Sequence, residues 1–358
     1  TGRGGGAAGQ GHQAGRRRRV VAAAGLLGAL LALSLRCVPG DPPTPCLEEG
    51  DAPARCMADG GPPGPFDLAT GELGRPDLMP VGDAGPGMDA GADGGTACPS
   101  FAAGTSVGRT PAGSITEASG IVAGRRNPGT LWLHNDSGAG PRIHAVSRTG
   151  AAQAMYDLSG ATATDWEDIA IGPGPTAGVS YLYIGDIGDN AMARAHVDVY
   201  RVAEPDVTGA SPTTATPLSG VEHFTLVYPD RAHNAETLLV DPTTGDLYIV
   251  VKSSDGVSPV FRAAAPLSTA GSITLTQVAM LRFGTAPLSG GRATTAGDIS
   301  PGGDEIAIRT YDAAYLWRRA PGMAVGAALA GMACRLPLSL ELQGEALGFA
   351  ADGSGYYT

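Results

Sequence analysis

Acidic side chains recur at matching places along this sequence. Asp165-Trp-Glu-Asp-Ile169, Asn234-Ala-Glu-Thr-Leu238, Ala296-Gly-Asp-Ile299 and Gln343-Gly-Glu-Ala-Leu347 place Glu167, Asp168, Glu236, Asp298 and Glu345 just before an apolar anchor. A second set, Asn135, Asp136, Asp186, Lys252 and Arg309, falls at or near the ends of short apolar runs that follow such segments. Gathered in one place, these carboxylate and amide oxygens would bind calcium, a hard cation that takes roughly six to eight oxygen ligands. A different chemistry is also open. Lys252 and Arg309 would hold an anionic phosphoester, ester or lactone while a carboxylate acts as acid or base, with or without a metal. The third reading is structural: the acids cap backbone N–H groups and pair with Lys252 and Arg309 across neighbouring elements.

A repeat must position these residues. With Glu117-Ala-Ser-Gly-Ile121, five segments share the pattern, and their anchors at 121, 169, 238, 299 and 347 recur every 48 to 69 residues. Each leads through a Gly/Pro/Asp turn into a second strand, such as Tyr181-Leu-Tyr-Ile184 or Leu247-Tyr-Ile-Val-Val251. A third strand recurs as Val197–Val202 or Tyr315–Arg318, and a fourth as Ala154–Leu158, His223–Tyr228, Val278–Phe283 and Leu338–Leu342. Four short strands per repeat predict an all-β chain and a β-propeller, one four-stranded sheet per blade. Four blades are complete, and a fifth shows its first two strands. A ring must cover its sheet edges, so the reading expects further chain for blade five and part of another. Thr105–Val107 is a candidate closing strand, and a β-sandwich is the alternative fold. In a propeller the first strand lines the central channel. Its start shares a face with the end of the second strand, so one mouth collects the candidate residues.

Trp166, beside the acids, could stack a ligand, although a tryptophan more often packs in a core. His134 lies near the same mouth and is a candidate base or ligand group. Gly185-Asp-Ile-Gly-Asp-Asn190 offers either metal ligands or turn residues that bond their own backbone. The sequence has no zinc Cys pair, phosphate loop, dinucleotide fingerprint or Gly-x-Ser-x-Gly elbow.

Residues 1–36 carry six Arg and no acid, and Val20–Leu35 is apolar except for Ser34. That is the pattern of an export signal; as a helix the apolar run spans ~24 Å, short of the ~30 Å bilayer core. Cys37 follows, as in bacterial lipoproteins, although Arg36 stands where such signals carry a small residue. Residues 1–37 are thus read as signal or anchor, with Cys37 as the lipidation candidate. Residues 38–97, acidic and rich in Gly and Pro, read as a disordered spacer. Residues 98–358 are the propeller domain. Cys98 and Cys334, with Cys46 and Cys56, suggest disulfides in an exported protein, in a pairing the spacing leaves open. The net charge of −11 argues against nucleic acid as partner. The expected protein is a periplasmic or cell-surface monomer that meets the membrane only through its N-terminus. It binds an envelope or extracellular ligand.

The stretches Asp165–Ala170, Tyr181-Leu-Tyr-Ile-Gly-Asp-Ile-Gly-Asp-Asn190, Asn234–Leu238 and Gln343–Leu347 resemble those of secreted bacterial propeller proteins. They are also distantly similar to the phytase-like and esterase-like propeller superfamily. The resemblance covers about 114–358. It implies a secreted propeller of six blades, in a superfamily where calcium at the central channel is common.

Overall fold

The computed structural model describes residues 67–71 as a strand and 98–358 apart from 112, 137, 285–289, 340 and 342. The expected signal, Cys37, Cys46, Cys56 and the rest of the expected spacer lie outside the described residues. Among those described, no helix is long and apolar enough to cross a membrane.

Two strands, β1 (Asp67–Gly71) and β2 (Gly104–Arg109), precede the repeats. Blade one is β3 (Ala118–Ala123), β4 (Thr130–Asn135), β5 (Arg142–Ser147) and β6 (Ala152–Leu158). Blade two is β7 (Trp166–Pro173), β8 (Ser180–Asp186) and β9 (Val197–Ala203), then, beyond the short β10 (Thr216–Leu218), β11 (Glu222–Val227). Blade three is β12 (Ala235–Val240), β13 (Leu247–Val251) and β14 (Val257–Ala263), then, beyond β15 (Ser272–Thr274), β16 (Thr276–Arg282). Blade four is β17 (Thr294–Ile299), β18 (Glu305–Thr310) and β19 (Ala314–Arg318), then helix α1 (Val325–Leu329) and β20 (Cys334–Leu336). The fourth strand of that blade therefore lies ahead of the expected Leu338–Leu342.

Four blades of consecutive antiparallel strands thus stand as the repeat requires. The fifth sheet is composite, in the order β2-β1-β22-β21, with β21 (Gly348–Phe349) and β22 (Tyr356–Tyr357) from the far end of the described chain. Thr105–Val107 falls in β2, which pairs with β1. A strand thus lies inside the segment expected to be spacer, because five residues between Gly- and Pro-rich flanks carry no strand signal of their own.

The innermost strands β3, β7, β12, β17 and β21 form a closed ring, β21 lying against both β17 and β3. Five apolar layers fill the five junctions. Trp132 and Tyr156 of blade one meet Trp166 and Tyr200 of blade two. Phe224 of blade two meets Phe261 of blade three, and Tyr248 of blade three meets Trp317 of blade four. Leu316 of blade four meets Tyr356 of the fifth sheet, whose Tyr357 packs on Leu131 and Leu133 of blade one. The expected ring of six is corrected accordingly: an apolar layer already joins the fifth sheet to the first blade. Innermost strands are buried on both faces, so they read as apolar runs, whereas the outer β11 and β16 mix buried and exposed positions.

The outer edges follow one rule. The connection between the third and fourth strands of each sheet reaches back to the outermost strand of the sheet before it. β10 pairs parallel with β6, and β15 pairs parallel with β11. Helix α1 covers β16. The β1–β2 connection carries Cys98, disulfide-bonded to Cys334 on β20. In blade one the Thr149–Gly150 turn lies against Gly108 and Arg109 of β2, so closely that a Cβ at Gly108 or Gly150 would meet backbone. Each exposed row of N–H and C=O groups is thereby protected from edge-to-edge pairing.

Candidate cation site at the channel mouth

A β-bulge near the start of each of the four complete innermost strands sets the site. An extra residue is inserted opposite the partner strand at Gly120, Glu167, Glu236 and Thr295. A bulge re-aims a side chain relative to the ladder, and here it places Glu167 and Glu236 at corresponding positions of adjacent blades. The paired second strands end at Asn135, Asp186, Val251 and Thr310. The next residues, Asp136, Ile187, Lys252 and Tyr311, form the matching rim set.

One half of the mouth carries its own cation. Lys252 Nζ donates to Glu236 Oε1 and to Tyr311 Oη, the latter at 2.9 Å. Tyr311 Oη donates to Glu345 Oε1 at 3.2 Å. Burial pushes the Glu236 carboxyl up to about 8 even with Lys252 beside it, and raises Glu345 as well.

The other half gathers acids. Oxygens of Asp136, Asp165 and Glu167 lie within 4.8 Å of one another. Glu167 is 4% exposed, and among the described residues no hydrogen-bond donor reaches its carboxylate. Burial first, then the Glu236, Asp136 and Asp165 charges, push it up to about 11. Asp165 is likewise raised, by burial and by Asp136, with Arg194 opposing. Gly188 makes the approach possible, because a Cβ there would collide with the carboxylate oxygens of Glu167 and Asp165. Like charges this close cannot all ionise alone. A proton on Glu167 or a bound cation would offset them.

Buried Asp186 holds this half in place. It accepts the N–H groups of Thr164 at 2.9 Å and Asp165 at 3.1 Å, and Arg194 Nη1 at 2.7 Å. Asp189 accepts the N–H groups of Ala193 at 3.0 Å and Arg194 at 2.8 Å. Its carboxylate therefore serves the turn.

The remaining sequence candidates lie elsewhere. Asp168 is fully buried below the mouth and accepts the N–H groups of Ile169 and Leu238, each at 2.9 Å, and that of Gly297. It binds three blades together, and burial raises its pKa well above the carboxylate range against those donors. Asp298 does the same for Ile299, at 2.8 Å, and Phe349, at 2.9 Å, with its pKa pushed up to about 7 by burial. The bulge-aligned partner of Glu167 and Glu236 in blade four is Thr295, whose hydroxyl donates to the Gly344 carbonyl at 2.8 Å. Arg309 is buried, paired with Glu341 at 2.6 Å and donating to the Ala346 carbonyl at 3.2 Å. It holds blade four to the fifth sheet and offers no face to an anion. Trp166 is 1% exposed, donates its Nε1–H to the Thr162 carbonyl at 2.9 Å and packs on Tyr200, so it is core. His134 is buried edge-on to Trp166, its Nδ1 donating to the Asn135 carbonyl at 2.8 Å, and burial lowers its pKa. It is a neutral core imidazole in this structure.

Sequence reasoning did not single out Asp165 and Tyr311. Both were within reach: Asp165 opens the Asp-Trp-Glu-Asp motif, and Tyr311 follows β18 as Lys252 follows β13. One prediction follows from Asp168. Asp168→Ala leaves three buried N–H donors without an acceptor, at about 1–3 kcal/mol each. Its urea midpoint is expected to fall by the equivalent of about 3 kcal/mol or more, and an unchanged midpoint would remove its stapling role.

No protein-family model matches the chain, and no curated protein matches it. Among solved structures, the chain is similar to a chain in the "Crystal Structure of Mitotic Checkpoint Complex", with 12% identity and a TM-score of 0.31. The match covers 60% of this chain and 54% of that one, so it spans about half the length of that protein; a likeness of this size carries no functional argument.

Proposed function

We propose that this protein is an exported propeller that acts as a binding module and holds calcium at its channel mouth through Asp136, Asp165 and Glu167. The observation that carries the reading is the meeting of three carboxylates within 4.8 Å, one of them buried with no donor among the described residues. The donor set fits the ion, since calcium prefers oxygen ligands and takes carboxylates in one- or two-oxygen modes. Three carboxylates supply roughly three to six oxygens, which leaves positions for water or for an oxygen-bearing ligand entering the mouth. When bound, the ion supplies positive charge and coordination. The chain's own residues orient it: Asp186 fixes the Asp165 loop, the bulge presents Glu167, and the Lys252–Tyr311–Glu345 row forms the opposite wall. The basic, apolar N-terminal sequence supports export. The hydrolase alternative keeps the carboxylates but loses its anion holders, because Arg309 is spent on Glu341 and Lys252 on Glu236.

Thermal unfolding tests the reading. A ligand that binds only the folded state adds RT ln(1 + [L]/Kd), about 2.7 kcal/mol at a hundredfold excess over Kd. Calcium is expected to raise the melting temperature by several degrees over chelator, and Glu167→Gln is expected to abolish the rise. Equal melting temperatures at millimolar calcium and in chelator would overturn the site.

A further inference from the structure

A second cluster of ligand groups lies on blade two, where Asp198 pairs in register with Asp186 of the mouth wall. On β9 and the residues leading into it, alternate side chains share one sheet face, and cross-strand partners share it too. His196, Asp198 and Tyr200 follow that alternation. Tyr200 is registered opposite His223 on β11, and Asp198 opposite Thr225. The two imidazoles converge on one carboxylate: His223 Nε2 lies 2.7 Å from Asp198 Oδ1, and His196 Nδ1 lies 3.2 Å from Asp198 Oδ2. Thr225 Oγ1 reaches Asp198 Oδ1 at 3.3 Å. The Asp198 side chain is 9% exposed, whereas those of His196 and His223 are 49% and 50% exposed. The carboxylate is thus fixed and the two rings can turn in solvent. His223 also stacks on the Tyr200 ring at 5.0 Å, and it can turn within the plane of that stack.

We propose that His196, Asp198 and His223 form a binding site for a first-row transition dication such as zinc. Two imidazole nitrogens and one carboxylate are a donor set such ions take, with remaining positions open to water. Each ring now offers its nearer nitrogen to Asp198. Rotation of the two half-exposed rings brings both nitrogens round one ion beside Oδ1. Each ligating nitrogen must present its lone pair, so a proton there moves to the other ring nitrogen through solvent. The nearby cation is Arg194, which binds Asp186 at 2.7 Å and the Gly188 carbonyl at 2.8 Å. Its contact with Asp198 Oδ2, at 3.3 Å, is the longest of the three and can be given up. Asp186 and Asp198 together outnumber Arg194 by one charge, so the place favours a dication. The site does not depend on the calcium reading, as it shares no ligand with the mouth.

Cobalt(II) titration followed by visible absorption tests this. One equivalent of cobalt is expected to develop d–d bands of low-coordinate nitrogen and oxygen ligation, and zinc to bleach them. His223→Gln or His196→Asn, both at half-exposed positions that the fold tolerates, is expected to lower the affinity at least about tenfold. Glu167→Gln leaves the bands unchanged. No band at one equivalent, or a band that survives both histidine substitutions, would overturn the site.

Discussion

Replacing Cys98 and Cys334 together by serine is expected to lower the free energy of unfolding by roughly 5 kcal/mol. The bond joins residues 236 apart, and in the chain-entropy account a cross-link stabilises more as the loop it closes grows, roughly 4.7 kcal/mol at 100 residues. Its position adds to the effect. At every other junction a strand, helix or turn reaches back over the previous outer edge, and at β20 the reaching connection is fixed by this bond. Phe101, three residues after Cys98, packs edge-on against Tyr356 at 5.6 Å in the same layer. Loss of the bond frees the N-terminal strands β1 and β2 from blade four as well as loosening the unfolded chain. Urea unfolding of the double variant against the oxidised wild type measures it. Hydrogen exchange is expected to rise first in β2, β20 and β22. Equal midpoints, or an exchange change confined to blades two and three, would refute this role.

Glu204→Gln is expected to cost about 4 kcal/mol. Glu204 follows β9 of blade two and is buried under the β3–β4 turn of blade one. One carboxylate oxygen accepts the N–H groups of Arg125 at 3.1 Å and Arg126 at 2.7 Å and the Ser180 hydroxyl at 2.7 Å. The other accepts the N–H of Asn127 at 3.3 Å, its side-chain amide at 2.9 Å and Trp132 Nε1 at 3.1 Å. Hydrogen bonds to an ionised acceptor contribute about 1.5–3 kcal/mol each, and a donor left buried and unpaired costs about 1–3. An amide nitrogen in place of one oxygen would face donors. Burial alone would raise the Glu204 pKa, but the donors from Arg126, Ser180, Asn127 and Trp132 outweigh it and hold it below the usual range. The sign follows. A depressed carboxylate contributes stability that is full above the unfolded value, about 4.3. That contribution is lost as the pH falls through the lower folded value. Wild type is therefore expected to weaken more steeply than the variant on the acid limb. A variant within 1 kcal/mol of wild type, with a parallel pH profile, would contradict the assignment.

Strand type and blade order were legible because innermost strands buried on both faces leave apolar runs, and Gly- and Asp-rich turns separate them. Glu167, Glu236 and Glu345 were legible because each stands two residues before its anchor, and Lys252 because it follows a second strand. The misplacements have one main cause. Aligning blade four on Asp298-Ile299 matches the Asp168-Ile169 pair in letters, but the bulge at Thr295 sets the ladder. Asp298 therefore sits three residues beyond the bulge, and Tyr311, not Arg309, faces Lys252. A bulge adds a residue without leaving a composition signal. Trp166 and His134 were placed near the mouth by position along the strand, which is right, but the alternation of a strand turns them into the layer between blades one and two. The closing strand expected at Thr105–Val107 falls in β2, but β1 was hidden because its partners lie at the opposite end of the described chain, and no local pattern reports a pairing over that distance.

In the proposed site a cation is held by a carboxylate that otherwise keeps its proton. Calorimetric titration of calcium in two buffers of different ionisation enthalpy measures both events at once. With Glu167 pushed up to about 11, calcium binding at neutral pH is expected to release about one proton, and the affinity is expected to rise with pH because the metal takes the ionised ligand. Glu167→Gln is expected to lose both the binding and the proton. Calcium binding with no proton release that persists in Glu167→Gln, or no calcium heat at all in the wild type, would contradict the account.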